Sequence, residues 1–194
     1  MSKNKDYTNV EAYVKKNVST SRFLHCQSVG MTVMFYNQRF NVGFKDSDCY
    51  EVGVLHDVAR NWNFEEMLLY CKEYNVHMEM EEISNPILLH APVAASLIKT
   101  KNFNEDFQNA VRWHTLGSKD MGKLGLLLYI SDYLEPRRTF LSDIERMNFN
   151  KMDSLEQICI RIINREIKHR KSKDQVLARA TQELYDFLKE GGTF

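Results

Sequence analysis

The chain has 194 residues and balances 26 Lys+Arg against 26 Asp+Glu, with 43% hydrophobic and 27% charged residues. That length is one domain's worth, and the apolar share suffices for a buried core, which excludes a disordered chain. A formal net charge of zero excludes nucleic-acid binding by blanket electrostatics. Only 8 Gly and 3 Pro leave few tight turns, so helices are favoured. The polar start MSKNKDYTNV has no apolar signal core, and the longest apolar stretch, residues 124–130, is too short to cross a bilayer. Cys26, Cys49, Cys71 and Cys159 form no CxxC pair. We therefore expect a cytoplasmic protein with reduced thiols and no membrane span.

Apolar residues recur at helical spacing almost throughout. Val10, Tyr13, Val14 and Val18 form a stripe behind Thr8 and Glu11, which have capping-box spacing. Ser21 caps a helix over 22–39, with His25, Val29, Val33 and Tyr36 along one side. Asp48 and Glu51 announce a third helix bearing Val52, Leu55 and His56, and Asn63 with Glu66 a fourth bearing Met67, Leu68 and Cys71. Asn85-Pro86 starts a short helix through His90, and Pro92 begins a separate one over 93–99. Asn104 opens a helix ending near His114, and residues 121–134 form the most apolar helix, stopped by Pro136. Residues 137–151 are the least ordered by composition. Asp153 and Glu156 start one tail helix, and Ser172 starts another that Gly191 ends. The expected fold is all-α. Residues 1–20 provide an N-terminal helix on the core, 21–138 the core itself, and 139–194 C-terminal helices completing the same domain.

Polar residues punctuate these apolar runs. His25 follows ArgPheLeu, His56-Asp57 follows ValGlyValLeu, His90 follows IleLeuLeu, His114 follows AlaValArgTrp, and Asp132 follows LeuLeuLeuTyrIleSer. A carboxylate left unpaired there would cost several kcal/mol, so each needs a partner. Asp132 has no Lys or Arg at 128, 129, 135 or 136 to serve it. A single such histidine is ordinarily a satisfied core residue, and Asp132 alone could be a cap or pair with a distant arginine. Taken together, four imidazoles and two carboxylates from five helices have one economical partner, a pair of metal ions. His77 and His169 stand in polar surroundings and read as surface residues.

This ordered set resembles the HD-domain metal-dependent phosphohydrolases, with His25, His56-Asp57 and Asp132 as the defining residues and His90 and His114 as the extra histidines of two-metal members. The likeness is closer to the YqeK-type group from about 22 to 138, through LeuHisAspValAlaArg (55–60), LeuLeuHisAlaPro (88–92), ArgTrpHisThrLeuGly (112–117) and IleSerAspTyrLeuGluProArgArg (130–138). That resemblance implies an HD-domain helical bundle with a C-terminal helical extension. It also implies an iron-using symmetrical bis(5'-nucleosyl)-tetraphosphatase that cleaves diadenosine tetraphosphate into two ADP. Arg60 stands where a Lys is usual, Ser131 where Ala is common, and Asn61 where an acid is frequent. None of these departures removes a candidate ligand.

A thiolate-free His/carboxylate set suits Fe, Mn, Co or Zn. Asp57 is the candidate bridge, with His25, His56 and Asp132 on one ion and His90 and His114 on the other. Such a pair activates a water for in-line attack. Catalysis is expected of His56, Asp57, Arg60 and His114, and substrate contact of Arg60, His90, His114, Thr115, Arg137 and Arg138. Arg60 is expected one helical turn from His56, and the family pattern places Arg138 on the nucleotide. The competing readings are an HD nucleotidase or phosphodiesterase acting on a mononucleotide or guanosine alarmone, and a non-catalytic nucleotide sensor. The basic run 165–173 could attract RNA, but reads better as a solvated hinge or helix C-terminal charge. The tail helices are expected to cover the core and to contribute to a homodimer contact.

Overall fold

The structure, a computed structural model, describes residues 7–101 and 103–194. Eleven α-helices and no strand are found among the described residues. At the centre lies α8 (Gly122–Leu134), in which Leu124, Leu126, Leu127, Leu128 and Ile130 are all buried. Each such side chain contributes about 1.5–3 kcal/mol on removal from water. Around it pack α2 (Thr20–Arg39), α7 (Glu105–Trp113) and α10 (Leu155–Lys171). Helix α3 (Asp46–Leu55) crosses α2 so closely that Gly30 and Gly53 bring the two backbones into contact.

Several element boundaries differ from expectation, each for a local reason. Helix α1 (Tyr7–Asn17) already contains Thr8, so the helix does not begin behind that residue. Ser19, not Ser21, caps α2: its backbone is extended and its hydroxyl accepts from Arg22 N at 3.3 Å. Helix α3 begins at Asp46 rather than Asp48, which puts both aspartates in its first turn, against the positive end of the helix dipole. The expected box at the start of α4 (Phe64–Glu73) is present, Asn63 and Glu66 exchanging two bonds of 2.9 Å.

A short α5 (Met80–Ser84) was not expected, because Met80 and Ile83 face solvent and give no buried stripe. Its anchor is polar. Glu82 is fully buried and takes two bonds, of 2.5 and 3.0 Å, from Arg112 of α7. Pro86–Leu89 forms a single 3₁₀ turn that runs into α6 (His90–Lys99), so Pro92 lies within the first turn of α6 and starts no separate helix. A missing N–H costs nothing there, since first-turn N–H groups have no helical partner.

Segment 137–151 is more ordered than its composition suggests. It contains α9 (Asp143–Phe149), capped by Ser142 with Glu145 and anchored by the buried Phe149. From α9, Arg146 donates to the carbonyls of Leu134, Leu141, Glu135 and Arg138, and so staples the chain just past the end of α8. Ser154, rather than Asp153, caps α10 by accepting from Gln157 N at 3.2 Å. Ser172 ends α10 instead of starting the next helix. That last helix, α11 (Arg179–Lys189), begins after a loop in which Val176 is 87% exposed. It turns Thr181, Leu184 and Leu188 into the core, and Gly191 takes the left-handed backbone expected beyond a helix end, at φ 90°. No described helix is long and apolar enough to cross a membrane.

Candidate metal centre

Three of the histidines use one local device. His56 terminates α3, His114 terminates α7, and His90 closes the 3₁₀ turn at the start of α6. Each ring faces the carbonyl three residues back, an orphan acceptor at a helical end. His56 Nδ1 donates to Gly53 O at 2.6 Å, His114 Nδ1 to Val111 O at 2.7 Å, and His90 Nδ1 to Ile87 O. His25 reaches the same end from mid-helix, its Nδ1 lying 3.0 Å from Glu135 Oε1. With the Nδ1 proton committed, every Nε2 presents a lone pair, the tautomer a metal ligand needs.

Those four Nε2 atoms converge on Asp57 and Asp132. Asp57 Oδ1 lies 2.9 Å from His90 Nε2 and 3.7 Å from His114 Nε2. Its other oxygen, Oδ2, lies 3.3 Å from His56 Nε2 and 3.7 Å from His25 Nε2. Asp132 Oδ1 lies 3.0 Å from His25 Nε2 and 3.7 Å from His56 Nε2. Two thiol-free groups able to hold an ion result, His25–His56–Asp132 and Asp57–His90–His114. Asp57 offers a separate oxygen to each. All six expected ligands are thus brought together.

A cation explains contacts that hydrogen bonds do not. His90 Nε2 and His114 Nε2 are 3.1 Å apart although both rings spend their Nδ1 proton on a carbonyl, so two lone pairs face each other. The Nε2 atoms of His25 and His56 are buried without a well-formed hydrogen bond. Spacings near 3 Å are those of neighbouring ligands around an ion bonded at about 2.1 Å. The nitrogen and oxygen donors fit a first-row divalent metal. Cys26 also lies within 4.8 Å of His56 and Asp57, and burial pushes its thiol well up. All four cysteines are buried and unpaired in disulfides.

Charge balance follows from the same packing. Burial alone would raise the Asp57 carboxyl, yet His56, His114 and His90 hold it well below the usual carboxylate range. Burial likewise opposes ionisation of Asp132, and His25 and Arg138 overcome it. The His25 imidazole is raised: burial lowers it, but its contacts to Asp132 and Glu135 prevail. The signs differ. The depressed carboxyls stabilise the fold above their unfolded values near about 4, and that contribution is lost as pH falls through the folded values. The raised His25 stabilises below about 6.5, and its contribution is lost as pH rises through the folded value. In the presence of chelator, the thermal midpoint should therefore drop on acidification below about pH 4. A midpoint flat from about pH 5 to 2 in thermal melts would contradict this assignment.

Arginines surround the mouth. Arg138 Nε donates to Asp132 O at 2.9 Å and its Nη2 to Asp132 Oδ1, so the distant partner of Asp132 is six residues on. Arg137 is exposed, its backbone N–H donating to Glu135 Oε2 at 2.7 Å. Arg60 is half-buried and feels the charge of Asp57, but it does not ride the helix of His56: α3 ends at Leu55, and tight turns carry 56–60. Thr115 Oγ1 is buried without a hydrogen-bond partner. With His114 it lines a cavity of about 600 Å³ walled also by Tyr129, Tyr133, Phe140 and Ile162. His77 is exposed as expected, and so is His169, which borders this cavity. Run 165–173 is mainly the C-terminal end of α10, with Arg165 engaged by Tyr133 and Glu145 and Arg170 by Glu166.

Two residues of the centre escaped the sequence reading. Arg22 donates to Asp57 Oδ2 at 2.9 Å, and Glu135 orients His25. For Arg22 the available signal was its position one turn before His25 on the same helix face. For Glu135 it was an acidic residue directly ahead of Pro136. Glu135→Gln should weaken metal binding about 10–100-fold, the usual cost of losing a carboxylate behind a ligating imidazole. Competition with a chelator for Mn²⁺ measures this, and unchanged affinity would remove Glu135 from the site.

Comparison with known proteins agrees with this geometry. A family model described as HD domain matches residues 22–137. A Bacillus subtilis protein named symmetrical bis(5'-nucleosyl)-tetraphosphatase is 29% identical over 182 residues, covering 93% of this chain and 96% of its own. A Staphylococcus aureus protein of the same name is 26% identical over 180 residues, 89% of each chain. Among solved structures, a Clostridium acetobutylicum protein described as a predicted HD superfamily hydrolase involved in NAD metabolism superposes with a TM-score of 0.86. It is 25% identical, and the match covers 96% of this chain and 98% of that one. With six candidate ligands converging inside the matched segment, the chain belongs to the HD domain family.

Proposed function

We propose that this protein hydrolyses diadenosine tetraphosphate symmetrically into two ADP, using two divalent metal ions, with iron the metal that the family resemblance favours. The observation that supports the reading is Asp57, one of whose oxygens faces His90 and His114 and the other His56 and His25. Relatives bearing the name of this activity match the chain over nearly its whole length. Held by these side chains, a metal pair supplies an activated water and neutralises phosphoryl oxygens.

The chain's own residues do the rest. Arg22 and Arg138, fixed against Asp57 and Asp132, present positive charge beside His25, and Arg137 extends it toward solvent. Arg60 adds a further guanidinium near Asp57. On the other side, Thr115 lines the aromatic cavity beside His114. A cavity of about 600 Å³ lies within the range of small-ligand sites, about 300–1,000 Å³. Tyr133 and Phe140, with ring centroids 5.2 Å apart, give it the aromatic wall that a purine stacks on.

Product identification tests the proposal. Metal-loaded protein should turn diadenosine tetraphosphate into ADP as the sole nucleotide product. Formation of ATP with AMP would overturn symmetrical cleavage. No turnover of the dinucleotide, with orthophosphate or pyrophosphate released from mononucleotides instead, would support the nucleotidase reading. Tight nucleotide binding without turnover under any divalent metal would support the sensor.

A further inference from the structure

The proposed substrate has two identical halves, but the walls that would receive them are not alike. At the His114 end of the centre lies the aromatic cavity of about 600 Å³. At the His25 end lies a cavity of about 250 Å³ lined by Ser19, Ser21, Arg22, Glu135, Arg137 and Arg138 together with His25. The first has the size and the rings for a nucleoside. The second falls below the about 300–1,000 Å³ of small-ligand sites, and no aromatic or aliphatic side chain lines it. Hydroxyls and guanidinium groups there match phosphate oxygens and offer a base nothing to stack on. His114, of one ligand group, lines the first cavity, and His25, of the other, lines the second.

From this asymmetry we infer that the centre reads one nucleoside only and holds the far half of its substrate through phosphates alone. The inference rests on the proposed function and extends it: the substrate class is the nucleoside 5'-tetraphosphates, whatever the fourth phosphate carries. Adenosine 5'-tetraphosphate is then a substrate. Water oxygen bonds to the β-phosphorus, and the bridge to the γ-phosphorus breaks with its electron pair leaving on pyrophosphate. The products are ADP and pyrophosphate, and the proton from water goes to solvent.

Two measurements on the full chain test this. Metal-loaded enzyme should cleave adenosine 5'-tetraphosphate with a kcat/KM within about tenfold of that for diadenosine tetraphosphate. Calorimetric titration with ADP should saturate at one molecule per chain at the aromatic cavity. Phe140→Ala, at an exposed position, should raise KM for both compounds by the same factor. The inference is overturned if the dinucleotide is cleaved while the tetraphosphate is more than about a hundredfold poorer, since a second nucleoside is then recognised. Two ADP per chain overturn it equally. If neither compound is cleaved, the proposed function fails, and the ADP stoichiometry still decides whether one nucleoside or two are read.

Discussion

Asp57→Asn is expected to lower turnover at least about a thousandfold and to reduce bound metal below the proposed two ions per chain. The size follows from the several kcal/mol a metal pair contributes to a phosphoryl-transfer barrier, at about 1.4 kcal/mol per tenfold. The two oxygens of Asp57 are not interchangeable in use: one faces His90 and His114, the other His25, His56 and the Arg22 guanidinium. An amide keeps the shape but cannot offer an anionic oxygen to both sides. Its NH₂ would face either a cation or Arg22, and both contacts are repulsive. Elemental analysis with single-turnover kinetics checks the result, and circular dichroism reports whether the fold persists. Near-normal hydrolysis by metal-loaded variant protein would remove Asp57 from the centre.

Gly53→Ala should cost the fold about 3 kcal/mol or more, beyond the usual overpacking penalty of about 1–3 kcal/mol. A Cβ at this position would stand 2.4 Å from Gly30 Cα and N, and 2.9 Å from Val29 C. These are backbone atoms of α2, which cannot swing aside as a side chain would. The added methyl therefore drives α2 and α3 apart. In a chain of this length such a loss lowers Tm by about 6–12 °C. The damage reaches the centre too: His25 rides on α2, while the Gly53 carbonyl holds the His56 ring at 2.6 Å. Weaker metal binding should accompany the lower Tm, and a thermal melt within about 1 °C of wild type would refute the close-packing account.

What could be read from the primary structure was whatever chain neighbours decide. Asn63 with Glu66 marks a helix start whose partners are three residues apart. The six candidate ligands stood out because each is a polar group inside an apolar run, which obliges burial and a partner. Arg22 and Glu135 were hidden for the opposite reason: their partners lie 35 and 110 residues away, and nothing local separates them from solvated surface charges. The cap of α2 was ambiguous because Ser19 and Ser21 carry the same hydroxyl; a bond from Ser19 N to Asn61 Oδ1 at 3.4 Å ties down the former. Helix α9 was obscure since what orders it, Phe149 in the core and Arg146 on four carbonyls, acts across the fold. Gly53 gave no hint of its role either, because a glycine needed for close crossing looks like any other.

The leash between His56, His90 and His114 and the carbonyls three residues behind them bears on how the protein acquires its ions. Posture of these three rings is settled within a single turn of chain, so their part of the cradle is built as each helix forms. For these three ligands loading then requires no reorientation of the ring. The negative poles of α3 and α7 draw the ion inward as it arrives.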